Sequence, residues 1–287
     1  MGRIAYVNGR YVRHAEACVH IEDRGYQLAD AVYEVWAVFD GKLADAEGHF
    51  ERLGRSLSEL KIAEPMSRRA LEVVLRETLR RNGVREGTVY VQVSRGVAPR
   101  DHAFPKSPVP PAVVVTAKAL DRVASEAKVA KGMAVVTVPE NRWGRCDIKT
   151  VGLLPNALAR QVAAESGAGE AWFVDDIGLV TEGAASNAWI LDADGVLRTR
   201  DTNANILRGI TRLTLMDVIR QCGIPLSEKP FTPDEAKAAK EAFITGAGAL
   251  VTPIVSIDGV PIGDGRPGPV ATRLRSLYIE RARATAV

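Results

Sequence analysis

Four short stretches bring together residue types that could do chemistry. Lys149 closes the run Cys146-Asp147-Ile148-Lys149, with Trp143, Val151, Leu153 and Leu154 close by in sequence. An amine among apolar neighbours loses part of its affinity for a proton and becomes able to attack an aldehyde. The plainer reading is a lysine that stretches its ammonium to solvent along an apolar stem. Glu182 precedes Gly183-Ala184-Ala185, a small-residue turn that lets a flat ligand approach the backbone while the carboxylate pairs with a ring nitrogen. A solvated β-turn would look the same. Leu207-Arg208-Gly209-Ile210-Thr211 puts a glycine at the start of a helical pattern, where free N–H groups can hold a phosphate, though many helices begin so without a ligand. Arg100 and His102 stand two apart between Pro99 and Pro105; a guanidinium and an imidazole in a stiffened loop suit a carboxylate, whereas Arg100 alone reads as a surface residue.

These residues need elements to carry them. Short β-rich runs separated by Asn8-Gly9 and Asp40-Gly41 predict hairpins and a mainly antiparallel sheet in the first part of the chain, with a long strand over 31–39. Helices are expected over 51–60 and 67–82, the second with Ser67 as N-cap and Gly83 just past its end. Strands follow over 88–93 and 112–117. After an ambiguous small and polar stretch, residues 133–138 start a new strand, then a helix over 155–166, a hairpin at 175–178, strands at 179–180 and 187–191, helices near 211–221, 233–242 and 269–283, and a turn at Asp258-Gly259. Helices and strands alternate without a βαβ rhythm, so the expected fold is α+β in two domains: 1–119, a linker over 120–131, and 132–287 carrying Lys149.

Composition removes several alternatives. With 46% hydrophobic and 25% charged residues, the 287-residue chain can build a core. Its formal charge of +3 is too small to argue for nucleic acid. Three cysteines in no CxxC spacing argue against a disulfide framework or structural zinc and point to a reducing cytoplasm; four scattered histidines argue against a metal site. No apolar run is long enough for a membrane span, and the first residues turn polar too early for a secretory leader. Phosphate-loop, Gly-x-Ser-x-Gly and His-Glu-x-x-His patterns are missing. Gly263-Asp264-Gly265-Arg266-Pro267-Gly268 matches a dinucleotide glycine pattern literally, but follows a turn and contains a proline; it reads as a loop.

Taken in order, the Lys149, Glu182 and Gly209 stretches resemble the class IV (fold type IV) pyridoxal-phosphate aminotransferases. The stretch from Asp23-Arg24-Gly25-Tyr26 to Tyr33-Glu34-Val35 is similar to that family's N-terminal signature, and Gly48-His49-Phe50-Glu51-Arg52-Leu53 to the segment whose arginine grips the cofactor phosphate. The resemblance implies pyridoxal 5′-phosphate as cofactor, Lys149 as its internal aldimine lysine, Glu182 as the pyridine-nitrogen partner, and Arg52 with Ile210 and Thr211 as the phosphate cup. Tyr33 would line the site. The Arg100–His102 stretch resembles the D-amino-acid branch, where such a pair traps the substrate carboxylate. Two departures stand out: Ala247 lies in a turn without the branch's hydroxyls, and Ala184-Ala185 replace serines, leaving backbone amides to hold the phosphate.

The implied activity is ping-pong transamination between a D-amino acid and a 2-oxo acid, with D-alanine and 2-oxoglutarate favoured. Rivals are a branched-chain L-aminotransferase, an (R)-amine transaminase, an aminodeoxychorismate lyase, and a binding protein that has lost its chemistry. The partners expected are small amino and oxo acids, without nucleic acid or membrane, and the family likeness implies a homodimer.

Overall fold

The computed structural model describes residues 3–203 and 205–287, and the chain divides into two units. The first holds the residues up to Asp121 with Ile148–Gly152 and Thr285–Val287; the second holds Arg122–Asp147 and Leu153–Ala284.

In the first unit, β1 (Ile4–Val7), β2 (Arg10–Arg13), β3 (Ala31–Phe39), β4 (Lys42–Leu43), β5 (Gly87–Ser94) and β6 (Ala112–Ala119) form an antiparallel sheet in the order β2-β1-β6-β5-β3-β4. Asn8 and Gly9, like Asp40 and Gly41, have positive φ, the backbone of two-residue turns whose twist matches the strands they join. The alternation is regular: Val89, Val91, Val93, Val113, Val115 and Ala117 are buried, while Tyr90, Gln92 and Thr116 between them are only half-buried. Burying each such valine stabilises the fold by about 1.5–3 kcal/mol. Helices α2 (Ala46–Glu59) and α3 (Arg68–Asn82) complete that core with Phe50, Leu53, Leu57, Leu71, Leu75 and Leu79. Ser67 caps α3 through the Ala70 amide, and Gly83, at φ 60°, ends it. A short α1 (Arg24–Leu28) is capped by Asp23.

The second unit runs α4 (Arg122–Val129), β7 (Met133–Pro139), α5 (Leu154–Glu165), β8 (Glu170–Val174), β9 (Val180–Gly183), β10 (Asn187–Leu191), β11 (Leu197–Thr199), α6 (Ile210–Gln221), β12 (Leu226–Ser227), α7 (Pro233–Lys237), β13 (Glu241–Gly246), β14 (Leu250–Ile257), β15 (Val260–Pro261) and α8 (Pro269–Thr285). Its strands make one mixed sheet in the order β12-β11-β10-β13-β14-β7-β8-β9, with β15 on β14. Only β14-β7, β7-β8 and β11-β12 pair in parallel. The strand β10 is buried along its whole length and β8 in all but its last residue, Val174, as strands covered on both faces are.

Four expectations meet a different structure. Residues 120–131, read as a linker, hold α4, which groups with the second unit because Glu126 pairs with the buried Arg275 of α8. Residues 148–152, expected with 132–287, group with the first unit. Ile148 joins its core, Val32 pairs with Thr150, and the Tyr33 amide donates to the Lys149 carbonyl at 3.0 Å. The helix expected to 242 stops at Lys237, since from Glu241 the backbone pairs with both β10 and β14. The helix expected from residue 51 starts at Ala46, so Gly48 is no breaker there. The glycine-rich stretch is a turn, and the N–H groups it might have offered at the start of α8 are taken: Val270 and Ala271 donate to the buried Glu241 carboxylate.

Candidate active site

The chemistry-bearing residues fall into two groups, one in each unit. In the first, Lys149 sits on the 148–152 segment that pairs with the start of β3. Its backbone N–H donates to Ser56 Oγ at 3.3 Å, and its ammonium lies 4.2 Å from the centre of the Tyr33 ring. Tyr33 in turn stacks on Tyr90 at 5.5 Å, and Tyr90 donates to Gln92 Oε1 at 2.8 Å. Burial, with Tyr33 beside it, pushes the Tyr90 phenol up to about 12, so it stays a donor at neutral pH. Strand alternation turns Glu34 the other way, among the fully buried residues.

Glu34 is the first residue that sequence reasoning missed. Its carboxylate accepts from Arg52 Nε at 2.9 Å and Arg52 Nη2 at 2.7 Å, and faces His49 Nδ1 at 3.0 Å. Burial alone would raise its pKa; Arg52 and His49 outweigh burial and hold the carboxyl well below the usual range. Arg52 and His49 lie three apart on α2, hence on one face. The visible signal was an acidic residue at an inward position of a strand whose other inward positions are Val32, Trp36 and Val38.

The loop between β5 and β6 exposes Arg100 and His102 to solvent. Among the described residues neither side chain has an ion pair or hydrogen bond.

In the second group, Glu182 lies buried on β9. Its oxygens accept from Arg142 Nη1 at 2.5 Å, Asn187 Nδ2 at 3.0 Å and the Leu207 amide at 3.1 Å. Arg142 also forks onto Glu140 and rests on the face of Phe173, 4.5 Å from the ring centre. Neither Arg142 nor Asn187 was singled out from the sequence. Asn187 also donates to the Leu207 carbonyl at 2.9 Å, and its Oδ1 lies 2.0 Å from where a Cβ on Gly209 would be. Gly209 brings no capping side chain to α6, whose first residues Ile210 and Thr211 are buried. A buried helix start without a cap is a place for an anion.

One reading of small residues changes. The amides of Ala184 and Ala185 are not open to a phosphate: they donate to the Ala171 carbonyl and to Glu170, which also accepts from Ser186 Oγ. Ala247 sits half-buried in the β13–β14 turn; at the turn's two flanks the Thr245 hydroxyl accepts from Trp189 Nε1 and the Thr252 hydroxyl donates to the Ala249 carbonyl. Burial and nearby carboxylates push Cys146 up to about 11, against the pull of Arg142, so it is a thiol at neutral pH.

The sequence profile described as amino-transferase class IV matches residues 31–257. The chain belongs to the class IV aminotransferases. It is 40% identical to a D-alanine aminotransferase of Staphylococcus haemolyticus over 96% of this chain and 97% of that one, and 39% identical to one of Listeria innocua over 96% and 94%. The fold is similar to that of a branched-chain amino acid aminotransferase solved with pyridoxamine 5′-phosphate, with a TM-score of 0.86, 29% identity, and coverage of 98% and 94%. A branched-chain aminotransferase of Thermoproteus uzoniensis, solved with norvaline, is similar at a TM-score of 0.83 and 27% identity, over 98% and 94% of the two chains. As a class IV member this is a pyridoxal-phosphate-dependent aminotransferase of fold type IV. Each unit by itself carries groups of the kinds such a cofactor requires: the first has a primary amine at Lys149 and an arginine locked in orientation, and the second has a buried carboxylate held by fixed donors and an uncapped buried helix start.

Proposed function

We propose that this class IV aminotransferase transfers the amino group of a D-amino acid to a 2-oxo acid, with D-alanine and 2-oxoglutarate as the preferred pair. The observation that carries the reading is the 40% identity to D-alanine aminotransferase over nearly the whole chain, which the Arg100–His102 pair supports. Pyridoxal phosphate supplies an electron sink that acidifies the Cα–H of a bound amino acid.

The remaining steps belong to the chain's own groups. Lys149 would hold the cofactor through its ε-amine, and the same amine is placed to serve as the general base for the substrate Cα proton. Glu182, oriented by Arg142, Asn187 and the Leu207 amide, pairs with the ring nitrogen. Arg52 and the start of α6 at Ile210 and Thr211 hold the phosphate, with the Ala247 turn beside it. Arg100 and His102 bind the substrate carboxylate, and Tyr33 lines the site. The half-reactions alternate, so kinetics should be ping-pong. We further propose a homodimer acting in the cytoplasm; no helix among the described residues is long and apolar enough to cross a membrane, and light scattering that finds only monomer would reject the dimer.

Absorption spectroscopy of the loaded enzyme tests the substrate. The visible band should bleach with D-alanine and return with 2-oxoglutarate. Bleaching by L-leucine but not D-alanine would move the assignment to a branched-chain activity, the activity named for the structural relatives. Borohydride trapping followed by peptide mapping should place the label on Lys149, and a label elsewhere would overturn its role.

A further inference from the structure

The loop carrying Arg100 and His102 is exposed, yet two of its points are tied to buried charge. Arg24, at 3% exposure, donates from Nη1 to the Asp101 carbonyl at 2.7 Å, which is the peptide between the two clamp residues. Arg95, at 8%, stacks its guanidinium on Phe104, 3.6 Å from the ring centre. Both arginines converge on one carboxylate. Asp30 accepts from Arg24 Nε at 2.8 Å, from Arg95 Nε at 2.7 Å and from Arg95 Nη2 at 2.9 Å. Arg95 is fixed from behind by the carbonyls of Leu60 and Lys61.

The backbone repeats the arrangement. The Arg95 amide donates to the Asp30 carbonyl, Arg24 to Gly96, and Ala98 to Glu22. At the neck of the loop a Cβ on Gly96 would stand 2.1 Å from the Pro110 carbonyl, so the two ends of the loop pass in contact. Between neck and tip, Arg24 and Arg95 are the side-chain anchors, and each is oriented by Asp30.

We propose that Asp30, acting through Arg24 and Arg95, is the positioning residue that fixes where the 97–106 loop presents Arg100 and His102 to a substrate carboxylate. The proposal rests on the clamp reading of that pair given above. A group held within a fraction of an ångström binds its partner better than one on a wandering loop, because the ordering is done before the ligand arrives.

Hydrogen exchange of the loaded enzyme reads the loop directly. Asp30→Asn should raise the exchange rate of peptides covering 97–106 and raise the KM for D-alanine about tenfold, with kcat changed less than about twofold. Cofactor affinity, followed by fluorescence titration, should not change, and Asp30→Glu should restore part of the KM. Because Asp30→Asn strips two buried guanidiniums of a partner, Phe104→Ala serves as the second variant: Phe104 is 53% exposed, and its loss removes only the stack on Arg95. Unchanged loop exchange in both folded variants overturns the proposal even where Arg100→Ala raises the KM and the clamp stands. An unchanged KM in Arg100→Ala overturns the clamp instead, and with it the substrate half of the proposal.

Discussion

A carboxylate with no access to water, such as Glu34, is tolerable only while its partners are present. Replacing Glu34 by Gln takes from the partly buried Arg52 the carboxylate it forks onto, which should cost about 3–5 kcal/mol in chemical denaturation at neutral pH. The same variant should hold the cofactor more weakly, as read by equilibrium dialysis, because Arg52 loses its fixed orientation. The pH dependence has a definite sign. The folded carboxyl lies below the ordinary Glu value of roughly 4.3, so its contribution is complete above that pH and fades as acid carries the solution down toward the folded value. The stability gap between Glu34→Gln and the native chain should narrow with each step below about pH 4. Cys146, pushed up to about 11, should react with iodoacetamide at neutral pH far more slowly than the exposed Cys18, a difference that peptide mass spectrometry resolves. At this scale the sequence drew attention to Lys149, Arg52 and Glu182 as candidates but gave no sign of the side chains that hold them. Arg142 reaches Glu182 across forty positions, and Asn187 donates both to the Glu182 carboxylate and to the distant Leu207 carbonyl, so no local spacing marks either.

Among elements, those with their own caps and turns were legible. Ser67 and Gly83 bracket α3 where the sequence placed its ends, β3 spans the residues expected, and Asn8-Gly9 and Asp40-Gly41 turn the hairpins. Elements decided by distant partners were not. The alanine-rich 236–242 stretch favours helix locally, yet β10 and β14 recruit its last residues as the start of β13. The start of α8 likewise depends on Glu241, twenty-eight positions before it. Glu241→Ala should free the Val270 and Ala271 amides, lowering stability by about 1–2 kcal/mol and the protection of the first turn of α8 in hydrogen exchange.

For the molecule as a whole, the expectation of two α+β units was legible from the mixture of elements, but the path of the chain between them was not. Residues 148–152 leave the second unit, pair with β3 and return, since Ile148 completes a core begun more than a hundred residues earlier. A fragment of residues 1–121 lacks that segment. Its Tyr33 amide has lost the Lys149 carbonyl and should exchange faster than in the intact chain, with a lower unfolding midpoint by circular dichroism. Equal protection in fragment and intact chain would show that β3 does not need the segment.

Gly209 contributes no functional group, and its φ of −64° would suit any amino acid. What forbids a methyl there is the amide oxygen of Asn187, the same side chain that steadies Glu182. In a saturation-mutagenesis survey, position 209 should therefore score as intolerant as an acid or base, although its backbone is ordinary. Codon changes there would be read as damage to catalysis when their first effect is to crowd a neighbour out of its seat.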